Sequence, residues 1–304
     1  MLILLTGGSG NGKSTLAVEL LRKLPEPRFL LDAATVYDET EAKSRQSKQR
    51  LLKEQNIDTL PIGQKSEQWP LPHGSNAVLE CMCHLTANEM FCSHTMFDPQ
   101  ADFSPVFSRI LRKIQDIHHQ CETLIIVTNE VSAEGIGYGE CTTAYQQLLG
   151  CLNTEIARQA DCVCEVVCGL PLPLKGTLPY KKRDEVRAMT NQILVIGPEN
   201  AGKKDYVATL GYGPQDMSDD LYADCPVLLN LQNILLKQPE ITPELIELLK
   251  QKKVIVCNEV GSGIIPVSKE LTQARVLTGT VCSRLAQEAS KVIRVLCGIP
   301  TILK

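Results

Sequence analysis

Short apolar runs alternate with helix-patterned stretches through the first 176 residues. Met1-Leu-Ile-Leu-Leu-Thr6 has the continuous apolar character of a buried strand, and Thr15 to Lys23 carries apolar positions at helical spacing. Arg28-Phe-Leu-Leu31 predicts a second strand. Asp38 to Gln55 then turns polar, with Glu39, Glu41, Lys43, Arg45, Lys48 and Arg50, and reads as a solvated helix or a substrate segment. Pro61 to Pro72, with Gly63, is loop-like; Ala77-Val-Leu-Glu80 is a strand closed by a carboxylate. Phe107 to His118 places Ile110, Leu111, Ile114 and Ile117 on one helical face, a core stripe. Thr123-Leu-Ile-Ile-Val-Thr128 is a strong buried strand that delivers Asn129-Glu130-Val131 to a sheet edge. A helix from about Thr142 to Gln159 follows, then a strand from Val163 to Val167 ending at Cys168-Gly169-Leu170-Pro171. Strands alternating with helices predict a parallel α/β sheet.

The first strand and helix flank Gly7-Gly8-Ser9-Gly10-Asn11-Gly12-Lys13-Ser14. In that context glycines let backbone N–H groups turn toward a polyphosphate, Lys13 adds a cation, and the Ser14 hydroxyl can ligate Mg²⁺ at the helix N-terminus. This predicts binding of GTP or ATP as substrate without naming a reaction, because many transferases, hydrolases and switches share such a loop. Glu80, at the C-terminal end of a strand beside the loop, stands at a Walker B type position that would hold the Mg²⁺.

The pattern then repeats. Ile193-Leu-Val-Ile196 leads into Gly197-Pro-Glu-Asn-Ala-Gly202-Lys203-Lys204, offset from the first loop by 197 − 7 = 190. Val254-Ile-Val-Cys257 leads into Asn258-Glu259-Val260, and Cys297-Gly298-Ile299-Pro300 answers Cys168-Gly169-Leu170-Pro171 at one offset (258 − 129 = 129; 297 − 168 = 129). Gly150 matches Gly279 in the same register, so the last elements of each half read as one unit written twice, with a middle portion missing from the second. The expected division is 1–185 and 190–304, with the boundary in the charged stretch Lys181 to Met189.

Composition adds exclusions. With 43% hydrophobic residues over 304 positions the chain can bury one large core or two smaller ones. A net charge of −4 without a long basic run gives no track for a nucleic-acid backbone. The N-terminal apolar run is too short for a signal-peptide core or for the ~20 residues of a membrane helix, so the expectation is a cytoplasmic protein with no membrane span. Thirteen cysteines, an odd number without an export signal, read as reduced thiols rather than a disulfide framework. Cys162, Cys164 and Cys168 share the parity of one strand face, which makes them small hydrophobes rather than metal ligands.

Laid out together, these residues resemble the bifunctional adenosylcobinamide kinase / adenosylcobinamide-phosphate guanylyltransferase family of cobalamin biosynthesis. The resemblance rests on Leu4-Leu-Thr-Gly-Gly8 with Gly12-Lys13-Ser14, Leu79-Glu80-Cys81 with Thr86 and Asn88, Val127-Thr-Asn-Glu-Val131, Asn153, Ala160-Asp161 and Val166-Val167, across most of residues 1–176. The second half is similar through Asn258-Glu259-Val260-Gly261-Ser262-Gly263-Ile264-Ile265-Pro266, which keeps the family pattern better than Ser132 to Tyr138 in the first. The resemblance implies an α/β, P-loop NTPase-like, doubly wound and mainly parallel sheet, here followed by a shortened second copy. It also implies a homo-oligomer with nucleotide near subunit contacts, phosphorylation of adenosylcobinamide by a nucleoside triphosphate, and joining of GMP from GTP to that phosphate.

In the family the second step passes through a guanylylated histidine in the polar segment after the second strand. Here Asp38 to Lys48 contains no histidine; Ser47 or Lys48 stands in its register, and His73, His84, His94, His118 and His119 lie elsewhere. The candidate catalytic residues are therefore Lys13, Glu80 and Lys48, with the edges Asn129-Glu130 and Asn258-Glu259 facing nucleotide or substrate. Two other readings of the same residues are a GTP-binding accessory protein without catalysis and an unrelated small-molecule kinase. The second half is not expected to act alone: Lys204 replaces the hydroxyl, Pro198 follows the first glycine, and Pro226 to Asn230 lacks a carboxylate. Its Asn258–Pro266 segment is expected to complete a composite site in the first half.

Overall fold

A computed structural model describes residues 1–34, 39–62, 69–91, 102–131, 138–179, 190–238, 240–261 and 268–304. The Lys181 to Met189 boundary, most of Ser132 to Tyr138, Ser262 to Pro266 and His94 lie outside the described residues. The chain forms two compact units: one comprises Met1–Thr6, Lys13–Glu165 and Pro173–Tyr180, the other Gly7–Gly12, Val166–Leu172 and Lys181–Lys304.

In chain order the first half contains β1 (Leu2–Thr6), α1 (Lys13–Leu21), β2 (Arg28–Asp32), α2 (Glu39–Lys53), β3 (Asp58–Pro61) and β4 (Ser75–Glu80). It continues with α3 (Met82–Phe91), α4 (Ser104–Gln120), β5 (Cys121–Val127), α5 (Glu140–Gln159), β6 (Cys162–Val167) and β7 (Leu170–Lys175). Seven strands form one sheet in the order β3-β2-β4-β5-β1-β6-β7. The ladders joining β1, β2, β3, β4, β5 and β6 are parallel, so the C-terminal ends of these strands share one edge. The registers Leu5 to Val127, Thr6 to Glu165 and Asp32 to Glu80 bring the residues that close the strands side by side there.

The expected strands and helices form because their apolar positions are buried. Leu2 to Leu5 of β1, Ala77 to Leu79 of β4 and Leu124 to Val127 of β5 are all at or below 3% exposure, as continuous apolar strands with both faces covered should be. On α4 the stripe Ile110, Ile114 and Ile117 is buried as the periodicity predicts. β3 was not expected, since its Asp58-Thr-Leu-Pro is an edge strand with little apolar content to mark it. The parity reading of the cysteines holds for Cys162 and Cys164, buried with sulfurs 3.8 Å apart. It stops short of Cys168, which lies beyond the end of β6 in a left-handed conformation (φ 49°) and packs in the core of the other unit.

The second half contains β8 (Ile193–Gly197), α6 (Lys203–Thr209), β9 (Met217–Ser218), β10 (Val227–Leu228), α7 (Leu231–Lys237), α8 (Pro243–Gln251), β11 (Val254–Asn258), α9 (Lys269–Glu288), β12 (Lys291–Leu296) and β13 (Ile299–Ile302). Its sheet runs β13-β12-β8-β11-β10-β9, with β13 antiparallel to β12 and the remaining pairs parallel. Within Pro226 to Asn230 only Val227–Leu228 is strand, because Pro226 brings no N–H to a ladder and Asn230 turns left-handed (φ 52°). One apolar cluster gathers Val167, Cys168, Leu228, Leu235, Leu249, Cys257 and Cys282, among others.

Glu89 of α3 is a buried carboxylate held by two α4 cations, Arg109 Nε and Lys113 Nζ, each at 2.7 Å. Lys113 is itself only 11% exposed and lies 5.1 Å from the ring centre of Trp69, the single tryptophan. Removing one partner of a buried pair leaves the other charge uncompensated. Glu89→Ala should therefore destabilise the fold by on the order of 3 kcal/mol, read as a lower urea midpoint followed by Trp69 fluorescence; an unchanged midpoint would contradict this account.

Candidate active site

β1 delivers the chain to Gly7, where φ is 127° and a Cβ would stand 2.6 Å from the Val166 carbonyl oxygen. Only glycine fits that approach. Asn11 accepts from the Gly169 N–H at 2.9 Å, which pins the far side of the loop, and α1 begins at Lys13. Lys13 is 5% exposed, and its charge is felt by the Cys81 and Cys83 thiols at the start of α3. Ser14 follows it in the first turn of α1 and is half-buried. The first turn of a helix offers N–H groups without intrahelical partners, which makes this strand, loop and helix the candidate anion site.

On the same edge, β2 and β4 end in facing carboxylates, and each meets a cation from α2. Arg45 Nε lies 2.7 Å from Asp32 Oδ2, and Lys48 Nζ lies 2.6 Å from Glu80 Oε2. Sequence reasoning picked out Glu80 and Lys48 separately; the fold brings them into contact. It passed over Asp32 and Arg45 as site residues, although Asp32 closes β2 as Glu80 closes β4, and Arg45 precedes Lys48 by one helical turn. Ser47, the other residue in the histidine's register, is exposed on α2.

Next to Glu80, the thiols of half-buried Cys81 and buried Cys83 titrate as a pair. Cys81 is raised well above its ordinary value, first by its hydrogen bond to Cys83 and then by burial. That bond lowers Cys83 to about 6 against the opposing effect of burial, with help from Tyr145, the Asn129 backbone and Lys13. Asn129 follows β5: Thr128 Oγ1 donates to Asn153 Oδ1 at 2.7 Å, and Asn153 Nδ2 donates to the Asn129 carbonyl at 3.4 Å. Glu130 is exposed beyond it.

The second loop keeps the close approach of the first and differs in where its lysine goes. A Cβ on Gly197 would lie 2.2 Å from the Val295 carbonyl oxygen, repeating the approach at Gly7. Lys203, however, folds back: its Nζ donates to the carbonyls of Gly197 (3.2 Å) and Pro198, and burial lowers its pKa. Asn258 gives its backbone N–H to Gln232 Oε1 at 2.9 Å, and Glu259 is held by Arg294 at 3.0 Å with its side chain 7% exposed.

A parallel α/β sheet whose first strand ends in this loop, with carboxylates closing neighbouring strands, defines a P-loop nucleotide-binding protein. The sequence profile of cobinamide kinase / cobinamide phosphate guanyltransferase matches residues 3–174 and 224–303, and the chain belongs to that family. It is similar to the bifunctional adenosylcobalamin biosynthesis protein CobU of Salmonella typhimurium, at 26% identity over 187 residues, covering 58% of this chain and 100% of that protein. Among solved structures, the flagellar accessory protein FlaH of Methanocaldococcus jannaschii aligns over 60% of this chain and 81% of its own, with a TM-score of 0.30 and 12% identity. A type III secretion ATPase of pathogenic bacteria aligns over 92% and 79%, with a TM-score of 0.36 and 11% identity.

Because Lys203 is already bonded to its own loop, Lys203→Ala should leave the affinity for GTP within about twofold of wild type, a change of under 1 kcal/mol. Isothermal titration checks this; a loss of tenfold or more would mean that the second loop takes part in binding.

Proposed function

We propose that this chain phosphorylates adenosylcobinamide with a nucleoside triphosphate bound at Gly7–Ser14, and that it has lost most or all of the guanylyl transfer. The observation that carries the first part is the buried Lys13 at the head of α1, set behind a glycine turn that no other residue fits. Phosphoryl transfer asks mainly for positioning and charge neutralisation. Lys13 places a cation among the phosphates, the loop amides orient them, and the Asn129-Glu130 edge faces the acceptor. The oxygen donors of Ser14 and Glu80, with Asp32 beside Glu80, suit a hard cation such as Mg²⁺. When bound, Mg²⁺ supplies charge neutralisation at the transferred phosphate.

The Lys48–Glu80 pair carries the second part. An ammonium in an ion pair has no lone pair to offer phosphorus, so Lys48 must give up its proton and its partner before it can accept GMP. Lys48 thus serves as a counter-charge for Glu80.

The second half is proposed as a shortened copy that completes the first loop. Supporting this, Ser9 donates its N–H to the Gly261 carbonyl at 2.7 Å, both residues lying in the same compact unit.

The test incubates the protein with labelled GTP or ATP, Mg²⁺ and adenosylcobinamide. The expected product is adenosylcobinamide phosphate, with turnover lowered at least about a hundredfold in Lys13→Ala, and no GMP on the protein by mass spectrometry. Nucleotide binding without turnover would favour an accessory role. A stoichiometric GMP adduct on Lys48 or on a histidine would overturn the claimed loss of the covalent step.

A further inference from the structure

We propose that Arg275, on α9, is a second cation for the phosphates of the nucleotide; this rests on the reading that Gly7–Ser14 holds a nucleoside triphosphate. Gly7–Gly12 and α9 belong to one compact unit, and the loop lies directly on the helix. A Cβ on Gly10 would stand 3.4 Å from the Arg275 carbonyl oxygen and from the Gly279 Cα, and 3.6 Å from the Val276 Cα. A Cβ on Gly279 would lie 2.5 Å from the Gly10 carbonyl oxygen. Helix and loop therefore touch backbone to backbone, and Gly279, unfavourable inside a helix by about 1 kcal/mol, is what lets them.

Arg275 sits on this contact face and is 5% exposed. Long helical side chains lean toward the N-terminal end of their helix. For Arg275 that is the end reached from Gly261, whose carbonyl takes the Ser9 N–H. Two turns further along α9, the Ser283 hydroxyl makes no hydrogen bond among the described residues and lies 3.8 Å from where a Gly12 Cβ would be. The stretch of α9 that packs on the loop expected to hold phosphate thus carries a buried arginine and the Ser283 hydroxyl.

The positions 129 residues earlier, on α5, show what these residues are without a phosphate loop against them. There Gln146 replaces Arg275 and donates to the Val131 carbonyl at 2.8 Å, and Thr154 replaces Ser283 and donates to the Gly150 carbonyl at 2.9 Å. Gly150, in the place of Gly279, has nothing within 4 Å of its Cβ position. Arg275 and Ser283 stand on the stretch of helix that the loop covers. A guanidinium offers a planar fork of donors that matches phosphate oxygens, which Gln cannot replace.

The experiment titrates GTP, with GMP as control, into full-length wild type, Arg275→Gln, Arg275→Lys and Lys13→Ala, alongside thermal melts. A charge-assisted contact to the outer phosphates should make Arg275→Gln bind GTP about tenfold to a hundredfold more weakly while GMP affinity stays within about twofold. Arg275→Lys, which keeps the charge but not the fork, should fall between. Equal losses for GTP and GMP would mark a purely structural role and overturn the proposal. If Arg275→Gln does not fold, Arg275→Lys decides: wild-type GTP affinity in it overturns the proposal. Loss of GTP binding in Lys13→Ala with full binding in Arg275→Gln overturns the Arg275 assignment alone. Unchanged GTP affinity in Lys13→Ala overturns the reading of the loop, and this proposal with it.

Discussion

The site depends on a backbone that passes too close to its neighbour for any side chain. At Gly7 the chain leaves β1 with a left-handed turn against the Val166 carbonyl, and only because it does so can α1 start at once with Lys13 buried at its head. The same approach recurs at Gly197 against Val295. Packing of a strand end on its parallel neighbour therefore imposes the loop's shape, whereas side chains set its chemistry. The two separate in the second loop: the shape persists while the side chains differ, with Pro198 after the first glycine and Lys203 donating to its own loop carbonyls.

At the neighbouring strand ends, charge does what apolar packing does elsewhere. α2 is polar along most of its length, and among its described residues Leu52 is the buried hydrophobe. Its position over the sheet edge is set by Arg45 on Asp32 and Lys48 on Glu80. Partly exposed ion pairs of this kind contribute about 0–1 kcal/mol each. Pairs of that strength can exchange partners at small cost, so they do not lock the carboxylates of Asp32 and Glu80 into one arrangement.

Much of this was legible in the sequence, for identifiable reasons. β1, β4 and β5 announce themselves because both faces are buried and the residues form unbroken apolar runs. The loop is legible because its chemistry is local, eight consecutive residues long. β3 was hidden because an edge strand needs few apolar residues. The pairing of Lys48 with Glu80 could not be read either, because 32 residues and the return of the chain through β3 separate them. Arg275 was passed over for the same reason: its contact with the loop joins segments at opposite ends of the chain, and a single arginine on a helix carries no periodic signal.

The two halves also diverge in how they hold their sheet edge. In the first, Thr128 and Asn153 form a part-buried hydrogen bond that continues to the Asn129 carbonyl, fixing the residues that follow β5. In the second, the corresponding positions are Cys257 and Cys282, and the Cys282 thiol meets Cys257 and Cys168 within an apolar cluster. A buried hydrogen-bonded pair specifies one geometry, because an unmade bond there costs about 1–3 kcal/mol; thiols pack almost as well in several. The first half thus has a polar tie that fixes the backbone after β5. The second has an apolar, thiol-lined contact there, which packs α9 against β11 without fixing a polar geometry.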